Sequence, residues 1–155
     1  MPLSDFLTQD AIVAGLKVNS KKQALQELAE KAAAVSGLPE REIFDTLLQR
    51  ERLGSTGVGH GVAIPHGKLA KVQKLFGVFA RLDKPVDFEA LDGEPVDLVF
   101  ALIAPESAGA DHLKALARVA RVLRDGAVTQ KLRAAQDVDA IYAVLMEAPT
   151  TSHAA

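Results

Sequence analysis

An apolar stretch near the middle of the chain reads Val96-Asp97-Leu98-Val99-Phe100-Ala101-Leu102-Ile103-Ala104. A run this rich in apolar and β-forming residues is typical of a central strand that is buried on both faces. It is far too short to cross a membrane. The stretch therefore predicts a sheet that carries helices on both faces, because this layered arrangement covers a central strand most economically.

The composition indicates one ordinary globular domain and excludes several kinds of site. A length of 155 residues fits one domain, and 48% hydrophobic and 25% charged residues are normal proportions. The chain has no cysteine, which excludes disulfides, thiolate zinc sites, iron–sulfur clusters and a cysteine nucleophile. A net charge of −2 without a basic stripe argues against nucleic-acid binding. With no signal peptide at the N-terminus, we expect a cytoplasmic protein.

Two helices are predicted before the central strand. Ser20–Gln23 reads as a capping box, and apolar residues follow at helical spacing as far as Gly37. Pro39 is a typical opening residue for a second helix, which should run toward Arg50 and Glu51. The connection is short, so we expect a helical hairpin. The residues of the second helix predicted to be buried are Ile43, Phe44, Leu47 and Leu48.

Strands are predicted in the middle of the chain and helices at its end. Residues 75–82 alternate as a strand does, and residues 84–85 and 92–95 mark turns. After a loop at residues 107–109, helices should begin near Ala110, near residue 127 and near Asp137. The predicted core face of the first of these helices is Leu113, Leu116, Ala117, Ala120 and Leu123.

The segment before the strands is rich in glycine. Residues 54–67 read Gly-Ser-Thr-Gly-Val-Gly-His-Gly-Val-Ala-Ile-Pro-His-Gly, which excludes a helix and predicts short strands, with Val62–Ile64 the best candidate. Gly54 and Gly59 have the spacing of a P-loop, but His60-Gly61 stands where Lys-Ser/Thr is required. Val62 also occupies the third glycine position of a dinucleotide fingerprint. Neither kind of nucleotide site is expected.

The histidines do not form a recognisable metal motif. His60 and His66 are six positions apart in a turn-rich segment, so they share no helical face, and no His-Glu-x-x-His pattern occurs. Only the fold could bring His112 beside them. We expect no metal site. The alternative to a metal site is that these are ordinary surface or polar-core histidines.

Ile64-Pro65-His66-Gly67 is the most distinctive tetrapeptide. Proline restricts the backbone before His66, and glycine after it permits a tight turn, so an exposed imidazole could act as a nucleophile. His112 lies in the first turn of a predicted helix, where N–H groups favour anions. Arg50 could bind phosphate through its planar fork. Each residue also has an ordinary interpretation: a turn histidine, a solvated helix histidine or a charged helix end.

A longer stretch carries a family resemblance. Residues 50–68, Arg-Glu-Arg-Leu-Gly-Ser-Thr-Gly-Val-Gly-His-Gly-Val-Ala-Ile-Pro-His-Gly-Lys, closely resemble the active-site signature of fructose/mannitol-type enzyme IIA proteins. These belong to the bacterial phosphoenolpyruvate-dependent phosphotransferase system. The resemblance continues at residues 95–102, 111–113 and 131–135, and spans essentially residues 3–146. Within the family it looks most like the nitrogen-regulatory enzyme IIA. One departure is His60, where we expect a small polar residue such as asparagine; His60 would add a third histidine near the site.

The resemblance implies an α/β fold: a single domain over residues 1–147 with a mixed sheet of about five strands and helices on both faces. Residues 148–155 are expected to form a disordered tail. The Nε2 atom of His66 would accept a phosphoryl group from an HPr-like phosphocarrier, making the chain a phosphotransferase component. His112 and Arg50 would steady that group, and Ser55 and Thr56 could lend hydroxyl or backbone donors. The family needs no metal and no organic cofactor.

Two roles are compatible with this family. A regulatory protein would bind different targets, such as potassium-transport regulators or sensor kinases, in its two phosphorylation states. A sugar-transport IIA protein would instead pass the phosphoryl group to an enzyme IIB. The chain shows no IIB or IIC segment and no membrane span, and its signature resembles the nitrogen-regulatory type, so we expect the regulatory role. Outside these roles, the alternative is a phosphate-binding or adaptor domain that transfers nothing.

Overall fold

Residues 1–147 are described by a computed structural model as a mixed sheet with helices around it. The predicted tail at residues 148–155 lies outside the described residues. Short 3₁₀ turns occur at Leu3–Asp5 and Gln9–Ala11. The strands are β1 (Ile12–Leu16), β2 (Gly57–Gly59), β3 (Val62–Ala63), β4 (His66–Leu69), β5 (Phe76–Val86) and β6 (Val96–Pro105). The helices are α1 (Lys21–Ser36), α2 (Glu40–Arg52), α3 (Gly109–Arg124), α4 (Gly126–Ala134) and α5 (Val138–Glu147).

Strand β6 lies at the centre of the sheet, as the apolar stretch predicted. β5 pairs with it antiparallel on one side, and β3 and β4 pair with it parallel, one after the other, on the opposite side. β1 extends the sheet beyond β5, and β2 extends it beyond β3. The sheet therefore has six strands among the described residues rather than about five, because the glycine-rich segment supplies three short strands.

Both faces of β6 are covered by helices. Residues 98–104 are all buried. Helices α1 and α2 pack on each other and against β5 and β4, respectively, whereas α3, α4 and α5 form a second group that reaches β6 and β1. The predicted α/β arrangement is confirmed.

The predicted helix ends are confirmed by their caps. The Ser20 hydroxyl accepts a hydrogen bond from the Gln23 amide at 3.1 Å, so α1 begins after Ser20. Gly37 ends the helix in the left-handed region at φ +78°, where glycine is favoured, and its N–H donates to the Ala33 carbonyl. Pro39 precedes α2.

Two predictions about the strands were wrong. No strand was predicted before the first helix, but β1 stands there and pairs parallel with β5. Lys84 and Pro85 were predicted to form a turn, yet they lie inside β5. Proline fits because the pairing of β5 with β6 is irregular between Arg81 and Val86, and a proline is tolerated where the ladder of hydrogen bonds is interrupted.

The predicted core face of α3 was also largely wrong. Leu113 is 69% exposed and Ala117 is exposed, and only Leu123 of the predicted set is buried. The helix instead buries a stripe that includes two polar residues, listed with their apolar neighbours as His112, Ala115, Arg118, Val119, Val122 and Leu123. Hydrophobic periodicity assigns histidine and arginine to the solvent side, so it selected the wrong face.

Candidate functional site

His66 is the first residue of β4 rather than part of an exposed turn. It is half-buried and pairs with Leu102 on the central strand. The carbonyl of Pro65 accepts a hydrogen bond from the Leu102 amide at 2.9 Å, which draws the chain into the sheet just before the histidine. The backbone of His66 is therefore held by the sheet. The prediction of an exposed imidazole on a turn was wrong, because His66 begins a strand and is half-buried.

The imidazole of His66 has one nitrogen fixed by the backbone. Its Nδ1 atom lies 2.8 Å from the carbonyl oxygen of Ile64. A carbonyl oxygen can only accept, so Nδ1 carries the proton and Nε2 keeps its lone pair in the neutral ring. Burial lowers the pKa of His66 and the charge of Arg50 lowers it further, against the opposing effects of the Ile64 carbonyl and Glu51. The lowered pKa favours the neutral form of the His66 ring at pH 7.

His112, the fourth residue of α3, packs beside that ring. The two imidazole centroids are 5.6 Å apart and the ring planes meet at 68°. His112 is only 6% exposed, and burial is the main cause that lowers its pKa, followed by the charges of His66 and Lys68. Within residues 1–147 its Nε2 atom has no hydrogen-bond partner. Buried polar atoms are normally paired, so this nitrogen is available to a further hydrogen-bond partner.

Arg50 lies in the last turn of α2 and points its guanidinium at the start of the glycine-rich segment. Its Nη1 atom donates to the Gly54 carbonyl at 2.9 Å. That bond orients the planar group and leaves other N–H donors for an anion. Its charge lowers the pKa of His66, so the two side chains interact electrostatically. The structure thus packs His66 against His112 and places the charge of Arg50 within electrostatic range of His66.

Ser55 and Thr56 use their hydroxyl groups within the protein. The Ser55 hydroxyl donates to the Phe88 carbonyl at 2.6 Å and accepts from the Gly57 amide. The Thr56 hydroxyl and amide both donate to the carboxylate of Glu51, at 2.5 and 2.8 Å. Both residues therefore fix the path of the chain between α2 and β2.

Glu51 was missed as a candidate by sequence reasoning. Its side chain is 2% exposed, and it also lies 3.4 Å from the ammonium of Lys21. A charged residue in the last turn of a helix suggests solvent exposure, and nothing local in the sequence reveals that Glu51 points inward.

His60 lies far from this site, contrary to expectation. It forms the tip between β2 and β3, whereas His66 is in β4. The partners of Val62 and His66 on β6 are Leu98 and Leu102, four residues and therefore about 13 Å apart. The left-handed backbone of His60, at φ +57°, also explains why asparagine is expected at that position.

Two further observations bear on other kinds of site. Among residues 1–147, no three histidine, aspartate or glutamate side chains lie close enough together to hold a metal ion. In the same part of the chain, no helix is both long and apolar enough to span a bilayer.

The family is decided by a match along nearly the whole chain. The family model described as phosphoenolpyruvate-dependent sugar phosphotransferase system, EIIA 2, matches residues 5–148. The chain belongs to this EIIA family. The resemblance found in residues 50–68 is confirmed.

Relatives place the chain within the EIIA family. A nitrogen regulatory protein of Bradyrhizobium diazoefficiens is 64% identical over 152 residues, covering 98% of this chain and 99% of that protein. The crystal structure of nitrogen regulatory protein IIA-Ntr from Neisseria meningitidis superposes with a TM-score of 0.86 and 38% identity, covering 90% of this chain and 96% of that one. IIA mannitol from Escherichia coli gives a TM-score of 0.76 with 26% identity, covering 89% and 97%. The predicted likeness to nitrogen-regulatory IIA proteins and the mannitol-type IIA fold are both confirmed.

Proposed function

We propose that His66 accepts a phosphoryl group on Nε2 from a phosphohistidine of an HPr-like carrier, and that the chain acts in the cytoplasm as a phosphorylation-dependent regulator. One observation carries this proposal: Nδ1 of His66 is bonded to the Ile64 carbonyl, which leaves Nε2 as the nucleophilic atom. Membership of the EIIA family supports the phosphotransferase chemistry. The names of the relatives support the regulatory role.

The transfer step needs no proton transfer by the acceptor. The Nε2 lone pair of His66 forms a new bond to phosphorus while the phosphorus–nitrogen bond of the donor breaks, and that electron pair returns to the donor imidazole. His66 keeps its Nδ1 proton, and its ring gains positive character as the bond forms. The Ile64 carbonyl accepts that proton's hydrogen bond more strongly from a cationic ring, so it stabilises the product.

The groups around His66 suit a phosphoryl group. In the proposed complex, the unpaired Nε2 atom of buried His112 donates to a phosphoryl oxygen, and the free N–H groups of Arg50 neutralise its charge. Ser55 and Thr56 act more weakly, by ordering the loop that follows Arg50. Positioning and charge neutralisation of this kind account for most of the catalysis in phosphoryl transfer.

Phosphorylation would change what the surface recognises. A phosphoryl group adds about −1.5 to −2 charges at neutral pH, whereas the formal net charge of the whole chain is −2. A change of that size makes the surface around His66 strongly anionic. Target proteins in nitrogen, potassium or carbon metabolism, such as potassium-transport regulators or sensor kinases, can then distinguish the two forms.

The experiment is intact-protein mass spectrometry after incubation with phosphoenolpyruvate, enzyme I and an HPr-like carrier. Wild type should gain one acid-labile phosphoryl group, and His66→Ala should gain none. His60→Ala is the matched control, because it removes a histidine of the same segment that lies far from the site. Equal phosphorylation of wild type and His66→Ala would refute the assignment.

A further inference from the structure

Glu51 is connected to the imidazole of His66 by a continuous series of hydrogen bonds. The Glu51 carboxylate accepts from the amide and hydroxyl of Thr56. The Thr56 carbonyl accepts from the Ile64 amide at 3.0 Å. The Ile64 carbonyl accepts from Nδ1 of His66 at 2.8 Å. The bonds of this series measure 2.5–3.0 Å, and each links the next segment of chain toward the ring.

The series joins three successive segments of the chain within residues 51–66. Glu51 belongs to α2, Thr56 lies in the loop that follows, and Ile64 lies between β3 and β4. The Pro65 carbonyl is bonded to Leu102 on the central strand. The carbonyl of Ile64 is therefore aimed at the imidazole by the sheet on one side and by Glu51, through Thr56, on the other.

Burying the carboxylate of Glu51 costs free energy unless its hydrogen bonds are kept. A carboxylate removed from water needs partners, and Glu51 has three donors: two from Thr56 and the ammonium of Lys21. Lys21 is itself shared with Glu89, whose side chain is 75% exposed. Two glutamates thus contact the same lysine, but only Glu51 is buried and bonded to Thr56.

We propose that Glu51 is a positioning residue for His66: through Thr56 and Ile64 it keeps the proton on Nδ1 and so keeps Nε2 available to phosphorus. This inference rests on the proposed function of His66. Glu51 touches neither the ring nor, in the proposed reaction, the phosphoryl group. Besides the effect of its charge on the pKa of His66, Glu51 acts through these hydrogen bonds on the tautomer and orientation of the ring that reacts.

The test measures the tautomer before any phosphorylation. The ¹⁵N spectra of histidine-labelled, unphosphorylated full-length protein report which imidazole nitrogen of His66 carries the proton. Wild type should show the Nδ1–H form. Glu51→Gln should shift His66 toward the Nε2–H form, because the Thr56 amide and hydroxyl bond to different carboxylate oxygens and one of these oxygens becomes an NH2 donor. Glu89→Gln is the matched control: it makes the same change on the other glutamate that contacts Lys21, and it should leave the tautomer unchanged.

The rate of phosphoryl transfer from the HPr-like carrier is the second measurement. Glu51→Gln should lower the maximum rate about tenfold, less than the roughly hundredfold loss that a 1 Å misplacement can cause, with little change in the carrier KM. Thr56→Val keeps the amide bond to Glu51 but loses the hydroxyl bond. It should therefore shift the tautomer of His66 and lower the maximum rate less than Glu51→Gln does. Thr56→Ser should restore both toward wild type.

The outcomes separate this inference from the proposed function. An unchanged tautomer in both Glu51→Gln and Thr56→Val would overturn the inference, even if the transfer rate fell. If Glu51→Gln does not fold, Thr56→Val and Thr56→Ser decide by the same criterion. A shifted tautomer in a protein whose wild type takes no phosphoryl group would support the positioning role and refute the proposed function.

Discussion

His60 and His66 lie six positions apart in one glycine-rich segment, yet the fold uses them in opposite ways. His60 is held by its backbone: its amide donates to Asp92, and its carbonyl accepts from Arg133. His66 is held by its ring, through the Ile64 carbonyl. The first histidine is exposed at a left-handed turn, and the second is half-buried at the start of β4.

The difference shows that chemistry depends on which atoms of a residue are constrained. At His60 the hydrogen bonds are made by the backbone, so the residue serves as a turn. Any residue that tolerates the left-handed region can therefore replace His60. A ring nitrogen bonded to a carbonyl defines the tautomer and therefore the nucleophilic atom. The two ends of the central strand should respond differently to mutation: the His60 end in stability and the His66 end in phosphoryl transfer.

After loss of the acceptor His66 itself, the largest expected effect concerns its neighbour His112. His112→Ala should still accept phosphate but about 100-fold more slowly, as for removal of one donor to a developing negative charge. His60→Ala should react at the wild-type rate. Rapid-quench kinetics with the phosphorylated HPr-like carrier measure both rates. A His112→Ala variant as fast as His60→Ala would show that the packed ring plays no part in transfer.

The next largest effects are expected from glycine substitutions, which should act differently at the two ends of the central strand. Gly61 has φ +79°, and an added Cβ would lie 2.5 Å from Nη2 of Arg133 and 2.9 Å from a carboxylate oxygen of Asp97. Gly61→Ala should therefore lower the free energy of unfolding by about 2 kcal/mol. The transfer rate of the folded protein should not change.

Gly67 and Gly126 provide the comparisons for that experiment. Gly67 directly follows His66, and an added Cβ there would collide with the methyl group of Thr46. Gly67→Ala should therefore reduce both the stability and the transfer rate. Gly126 has open space around it in α4, so Gly126→Ala should not destabilise the protein. Urea unfolding and the kinetic assay together test this. Equal loss of transfer rate in Gly61→Ala and Gly67→Ala would contradict the separation of the two ends.

The pH dependence follows from the lowered pKa values of His66 and His112. Burial is the main cause in both. In the unfolded chain these histidines titrate near pH 6.5. Protonation therefore favours the unfolded state: the contribution to stability is fully present above pH 6.5 and is lost as pH falls through that value toward the lower folded pKa values.

The lowered pKa of His66 should keep its ring in the neutral, reactive form in mild acid. An NMR titration of its ring should give a midpoint below 6.5, with the neutral fraction falling about tenfold for each pH unit beneath that midpoint. The acid loss of stability should be smaller in His66→Ala than in wild type. A His66 midpoint above 6.5 would contradict the burial seen in the structure.

The smallest effect is expected at the ion pair of the His60 end. Arg133 contacts Asp97 at 2.9 Å, and both side chains are partly exposed. Arg133→Met should cost about 0.5–1 kcal/mol, the usual range for partly exposed pairs, and leave phosphorylation unchanged. Arg41→Met, at an exposed pair with Asp45, is the control and should cost less. Chemical denaturation measures the stability of both variants. A slower transfer rate in Arg133→Met would contradict the independence of the two ends of the central strand.

Local patterns predicted the parts of the fold that local physics determines. The apolar run at residues 96–104 predicted the central strand, and Ser20 and Gly37 predicted the ends of α1, because burial and capping depend on the residues themselves. The long signature around His66 predicted the family for a different reason: it is too specific to occur by chance.

The missed features depend on contacts between distant segments. β1 exists because it pairs with β5, and no alternation within Ile12–Leu16 reveals this. The face that α3 buries includes His112 and Arg118, which periodicity assigns to solvent. Glu51 is buried because Thr56 and Lys21 meet it there. His60 is close to His66 in sequence but far away in the sheet.

The most direct test of the central claim is the position of phosphorus on the imidazole. The ¹⁵N and ³¹P spectra of the phosphorylated, histidine-labelled protein show which nitrogen is bonded to phosphorus. We predict a bond to Nε2 of His66, with Nδ1 still protonated and bonded to the Ile64 carbonyl. Phosphorus on Nδ1 of His66, or on any other residue, would contradict the account.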